Sequence, residues 1–158
     1  MKILLVSDTH GKDYYLEEAL EIEKPDFLCH MGDLEGSEDY IRRITKCPVA
    51  MISGNNDFWT DLNPEVTFEL HGFRIFMTHG HYYYAHSGNE QLKSAGRRNK
   101  ADIVLFGHTH RPTLEIDEDI IVANPGSLTY PRQEKRRPSY MVLYLEKGKV
   151  PKFETKFL

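Results

Sequence analysis

The sequence predicts an α/β domain built from two packed sheets with helices on their outer faces. Three observations lead there. The first third alternates short apolar runs with helix-periodic segments, which is how parallel strands joined by right-handed crossovers read. From residue 66 onward, strands dominate and the first two form a hairpin. Five polar segments follow apolar runs: Ser7-Asp8-Thr9-His10-Gly11, His30-Met31-Gly32-Asp33-Leu34, Ser53-Gly54-Asn55-Asn56-Asp57, Thr78-His79-Gly80-His81 and Gly107-His108-Thr109-His110.

The run Ile3-Leu4-Leu5-Val6 makes Lys2 to Val6 a strand buried on both faces. Residues 13–23 place Leu16, Ala19 and Leu20 on one helix face, with Asp13 near the start and Lys24-Pro25 ending the helix. Asp26 to Met31 is a second strand. Ser37 can cap a short helix to about Ile44, with Ile41 and Ile44 inward, and Val49 to Ser53 is a third strand. Val66 to Leu70 and Phe73 to Met77 flank His71-Gly72, a hairpin-sized gap. Ser87 to Asn99 reads as a helix capped by Ser87, with Leu92 and Ala95 inward and Lys93, Arg97, Arg98 and Lys100 on its polar side. Strands at Ile103–Phe106, Thr113–Ile116, Ile120–Ala123, Tyr140–Leu145 and Val150–Phe157 complete the chain, with a turn at Glu146-Lys147-Gly148-Lys149.

A length of 158 residues suits a single domain spanning 1–158. With 40% hydrophobic and 28% charged residues the chain falls in the ordinary globular class. A net charge of −4 argues against stable nucleic-acid binding by charge alone. Cys29 and Cys47 have no ligand or disulfide spacing, no signal-peptide pattern precedes the first strand, and no apolar run reaches membrane length. The expected compartment is the cytoplasm.

In open sheets ligands bind beyond the carboxyl ends of the strands. Asp8, His10, Asp33, Asn55, His79, His108 and His110 all fall there, each with a glycine close by. Residues two apart in an extended chain share a face, which would aim Asp8 with His10 and His108 with His110. Imidazole with carboxylate and amide oxygen suits manganese, iron, zinc or nickel and not a thiolate finger. His30, His71 and His86, each taken singly, read as ordinary structural or surface histidines.

As an ordered set these motifs resemble the calcineurin-like metallophosphoesterases, and within them the small YfcE-type phosphodiesterases, over essentially the whole chain. Asn124-Pro125-Gly126-Ser127 also resembles the following segment of that group. The resemblance implies a four-layer αββα sandwich of two mixed sheets and a dinuclear site. It implies that Asp8, His10 and His110 hold one divalent ion, that Asn55, His79 and His108 hold the other, and that Asp33 bridges them. The ions, manganese foremost, would activate a hydroxide for attack on a small phosphodiester. Many relatives carry Gly-Asn-His-Asp, whose histidine protonates the leaving group; this chain has Asn56 there, which has no titratable proton to give. The expected consequence is slow turnover or a preference for good leaving groups. His81 is a candidate substitute donor or substrate contact, beside Asn56, and Asp57 a candidate for orienting the loop.

Trp59, Tyr82, Tyr83 and Tyr84 flank these loops and read as loop packing or a subunit contact ahead of base stacking, which leaves room for a homo-oligomer. The basic run Arg132 to Arg137 reads as a solvated loop ahead of a substrate-steering patch. The alternative function is a weakly active or inactive scaffold for protein partners, as the resemblance to the retromer subunit of similar fold implies. A DNA-repair type nuclease fits less well, given the negative charge and the lack of an added domain.

Overall fold

The computed structural model describes residues Met1–Leu158 as two five-stranded mixed sheets and three α-helices. In the first sheet β1 (Lys2–Val6), β2 (Phe27–His30) and β3 (Val49–Met51) run parallel, and β9 (Ser139–Tyr144) and β10 (Lys152–Phe157) add antiparallel, giving the order β10-β9-β1-β2-β3. In the second, β5 (Phe73–Thr78), β6 (Ile103–Leu105) and β8 (Ile121–Pro125) run parallel between antiparallel edges β4 (Glu65–Leu70) and β7 (Pro112–Ile116). Helices α1 (Tyr14–Glu23) and α2 (Glu38–Ile44) cover the first sheet and α3 (Glu90–Arg98) covers the second.

The strand period of two explains the layers. Ile3 and Leu5 of β1 meet Ile75, Met77, Ile103 and Leu105 of the other sheet, all fully buried. Leu4 and Val6 turn the other way, onto Leu16 and Ala19 of α1 and Ile41 of α2. On the far side Phe76, Val104 and Val122 receive Leu92 and Ala95. Each of the larger side chains among them, alanines aside, stabilises the fold by about 1.5–3 kcal/mol through burial. The αββα sandwich that the resemblance implies is therefore the fold observed.

The hairpin closes as expected, Leu70 opposite Phe73, through His71 (φ 50°) and Gly72 (φ 85°); two successive positive φ values match the twist of the strands. Helix α3 differs from expectation. It starts after Asn89, because Gly88 (φ 122°) breaks the chain and Ser87 closes a separate 3₁₀ turn, Ala85–Ser87. Lys93 lies on the polar side as expected but is buried there, with its ammonium 3.2 Å from Glu90, 2.9 Å from Glu115 and 3.0 Å from Asp117. Asp13 and Ser37 stand at N-cap positions without capping bonds; Ser37 Oγ donates to the Leu34 carbonyl at 2.9 Å instead. No helix is long and apolar enough to cross a membrane.

Candidate metal centre

The loops that leave β1, β2, β3, β5 and β6 meet at one rim, and the backbone locks them together. Asp8 N–H donates to the Gly32 carbonyl (3.0 Å), His10 N–H to Asp33 (2.9 Å) and Gly11 N–H to Leu34 (3.0 Å). The Asp57 carboxylate accepts four backbone N–H groups, those of Asp33 (2.7 Å), Leu34 (2.8 Å), Glu35 (2.6 Å) and Gly54 (2.7 Å). A Cβ at Gly54 would run into the Asp33 carboxylate, and one at Gly107 would stand 2.9 Å from Asp8 Oδ2. From below, Asn124 Nδ2 donates to the Gly107 carbonyl (2.7 Å) and Ser127 Oγ to the Asp8 carbonyl (2.8 Å).

Strand alternation would need an extended chain at Asp8–His10 and His108–His110, and the chain is not extended there. Asp8 (φ 57°), His10 (φ 48°), Asp33 (φ 57°), His108 (φ 68°) and His110 (φ 58°) are all left-handed. Non-glycine residues adopt that region at a cost, and surrounding structure must hold them there. The interlocked loops do so, and the side chains converge by this route.

One ligand atom each from Asp8, His10, Asp33 and His110 lies within 4.8 Å of all the others. His110 Nε2 is 3.1 Å from Asp8 Oδ1, and His10 Nε2 is 3.8 Å from Asp33 Oδ2 and 3.4 Å from His110 Nε2. His79 Nε2 reaches into the same space, 3.5 Å from Asp33 Oδ2 and 3.9 Å from Asp8 Oδ1. The Nδ1 atoms point outward to fixed partners: His10 to Glu35 Oε1 (2.7 Å), His110 to the Tyr130 carbonyl (2.7 Å) and His79 to the Met31 carbonyl (2.6 Å). That arrangement fixes each ring and turns its Nε2 toward the site. Neither Glu35 nor the two carbonyls were singled out in the sequence; Glu35, two residues past Asp33, is the one with a local signal.

No lysine or arginine pairs with Asp8 or Asp33; their charged partners are imidazoles. Burial opposes the charge on Asp8, but His110 and His79 outweigh it and hold the carboxyl below its ordinary value. Burial opposes Asp33 likewise, and His79 with the two Asn56 N–H bonds holds it well below the usual carboxylate range. His79 would be pushed down by burial, yet Asp33 and Asp8 raise it to about 9. The two buried carboxylates thus hold a positive charge between them, and a divalent ion can take the proton's place. Asp8 Oδ1 and His79 Nε2 are buried without a hydrogen-bond partner, which further suits the donor set to a cation.

The remaining residues are less tightly bound in. The His108 ring packs on His79 (centroids 5.2 Å apart) and His86 (4.7 Å). Burial, then His79 and His86, lower its pKa to about 4. Asn55 is exposed on the loop after β3. Asn56 is turned onto Asp33, donating through its backbone (2.9 Å) and its amide (2.7 Å). His81 is half-buried with Nδ1 unpartnered, and burial followed by His79 lowers its pKa, so the ring is mainly neutral at pH 7. His30 donates to or accepts from Thr9 Oγ1 (3.1 Å) in the core, and Trp59, Tyr82 and Tyr84 are exposed at the rim while Tyr83 packs on Phe76.

The calcineurin-like phosphoesterase superfamily domain matches residues 1–148, and the chain belongs to that superfamily. It is 33% identical over 156 residues to a probable metallophosphoesterase of Methanothermobacter thermautotrophicus, covering 95% of this chain and 89% of that protein. It is 29% identical over 157 residues to the phosphodiesterase YfcE of Escherichia coli K12, covering 84% of this chain and 82% of that one. The zinc complex of Vps29 from Entamoeba histolytica has the same fold, with a TM-score of 0.80 over 99% of both chains at 24% identity.

Proposed function

We propose that residues 1–158 act as one metallophosphoesterase domain that hydrolyses small phosphodiesters with two divalent ions bound. The observation that carries this reading is the convergence of Asp8, His10, Asp33 and His110 within 4.8 Å around buried, unpartnered donor atoms. Asp8, His10 and His110 would hold one ion, Asn55, His79 and His108 the other, and Asp33 would be shared. Manganese is the first candidate, with nickel, iron and zinc behind it. Divalent ions bound there would supply Lewis-acid charge toward phosphoryl oxygens and lower the pKa of water enough to provide hydroxide near neutral pH.

The chain's own contribution is positional. Glu35 and the carbonyls of Tyr130 and Met31 hold the imidazoles, and Asp57 holds the loop that carries Asp33. Asn56 steadies the Asp33 carboxylate and has no proton to give a leaving group. His81, mainly neutral at pH 7, is a weak replacement acid. Turnover is therefore slow, or confined to diesters whose leaving oxygen needs no proton. The substrate is a soluble small molecule, and the setting is cytoplasmic.

A manganese-loaded preparation is expected to hydrolyse bis(p-nitrophenyl) phosphate and to stop when a chelator is added. Asn56 and the fold shared with Vps29 favour a second reading, a scaffold with little turnover. Bound metal without hydrolysis across a panel of mono- and diesters would favour that reading.

A further inference from the structure

We infer that the cleft beside His10 and His110 is a second anion subsite, which takes a phosphate that the substrate carries in addition to its scissile diester. The inference rests on the phosphodiesterase reading and names the substrate class. A cavity of about 810 Å³ is lined by His10 and His110 together with Arg111, Arg132 and Arg136, and by Tyr130 among the remaining residues. The arginines are tied to the metal-ligand loop: Arg132 N–H donates to the His110 carbonyl (2.9 Å), and Arg111 Nε to the Arg132 carbonyl (3.2 Å).

These three guanidinium groups have no carboxylate partner, as is also true of Arg42, Arg43, Arg98 and Arg137; what sets them apart is that all three line one cleft. A chain of net charge −4 thus gathers unpaired positive charge around one cleft, and that cleft adjoins the candidate metal centre. Lys12 adds a fourth cation at the rim, its ammonium 4.7 Å from the centre of the Tyr130 ring and 2.7 Å from its hydroxyl. The Tyr130 ring in turn stands edge-on to His10, so the cationic wall and the metal ligands share one surface. Guanidinium forks match phosphate oxygens bidentately, and a monoanionic diester engaged at the metal centre leaves them unused unless the substrate carries a further phosphate. The basic residues of the run are exposed, as in a solvated loop, and two of its arginines, Arg132 and Arg136, line the cleft.

The test compares two substrates with the same scissile bond and leaving group: thymidine 5′-(p-nitrophenyl phosphate), with and without a 3′-phosphate. With the manganese-loaded protein, the 3′-phosphorylated ester is expected to show kcat/KM at least about tenfold higher, mainly through KM, since one charge-assisted bond is worth that much. The ratio is expected to fall toward one in the Arg132→Ala/Arg136→Ala double variant and to recover partly with lysine at both positions. A native ratio near one, or one that the double variant leaves unchanged, overturns the subsite. Absence of turnover with both esters would instead overturn the phosphodiesterase reading. The subsite is then judged by calorimetry, with thymidine 3′,5′-bisphosphate expected to bind at least about tenfold tighter than thymidine 5′-phosphate and equal affinities refuting it.

Discussion

Asp8, His10, Asp33 and His110 sit in interlocked loops, with ligand atoms already within 4.8 Å and each imidazole backed by an oxygen at 2.7 Å. Across the rim only His79 is as well fixed. The His108 ring is held by other imidazoles, and Asn55 lies exposed. Preorganised donors bind with less ordering cost. The first position is therefore expected to fill before the second and to hold its ion more tightly, with the second completed when its ion arrives.

The largest effect belongs to the residue shared by both halves. Asp33→Ala is expected to remove both ions and all hydrolysis, as metal analysis and a diester assay would show; retained metal at either position would break the proposed sharing. Next, Asn56→His is expected to raise the rate on diesters with poor leaving groups, within the roughly 10²–10⁴-fold that general acid catalysis supplies. An unchanged or lower rate would remove the missing proton donor from the account. Asp57→Asn replaces an acceptor of four N–H groups by a group that must turn a donor toward some of them. A loss of metal affinity of about 10–100-fold is expected, with a lower Tm. Glu35→Gln touches only the more exposed Glu35–His10 pair and is expected near the lower end of that range, confined to the first ion.

The smallest effect is on pH dependence. In chelated protein the raised His79 pKa contributes stability that is full below about 6.5 and lost as pH rises through about 9. The lowered values of His108 and His30, each about 4, act in the opposite sense, between about 6.5 and 4. The Tm of the chelated protein is thus expected to fall between pH 6.5 and 9, while bound metal, which needs deprotonated imidazole, reverses the trend. A Tm of the chelated protein that rises with pH over that interval would contradict the charge balance described for the site.

Much of this was legible in the sequence because local chemistry and tertiary structure agree. The apolar run at Ile3–Val6, the stop at Lys24-Pro25 and the two-residue gap at His71-Gly72 each dictate one outcome. The five polar segments announced the rim because parallel strands must end on one side. The start of α3 had a local signal in Gly88-Asn89, beside Ser87, and the cap expected at Ser87 sits two residues too early. The rest depended on partners far away in the chain. The left-handed backbone at Asp8 and His110 is unfavourable by itself and exists only because remote loops impose it. Lys93 was readable as a polar-face residue but not as a buried one, because its acids Glu115 and Asp117 come from beyond the next strand. Asp57 was readable as a loop-orienting residue, but not as the acceptor that joins the loops after β2 and β3.

Manganese titration of the chelated protein by calorimetry, with bis(p-nitrophenyl) phosphate hydrolysis followed in parallel, bears most directly on the asymmetry between the two halves. Two ions per chain are expected, the tighter one lost in His110→Ala and the weaker in Asn55→Ala, with hydrolysis appearing only as the second ion binds. Two equal sites, no binding by the intact chain, or hydrolysis that persists under chelation would contradict it.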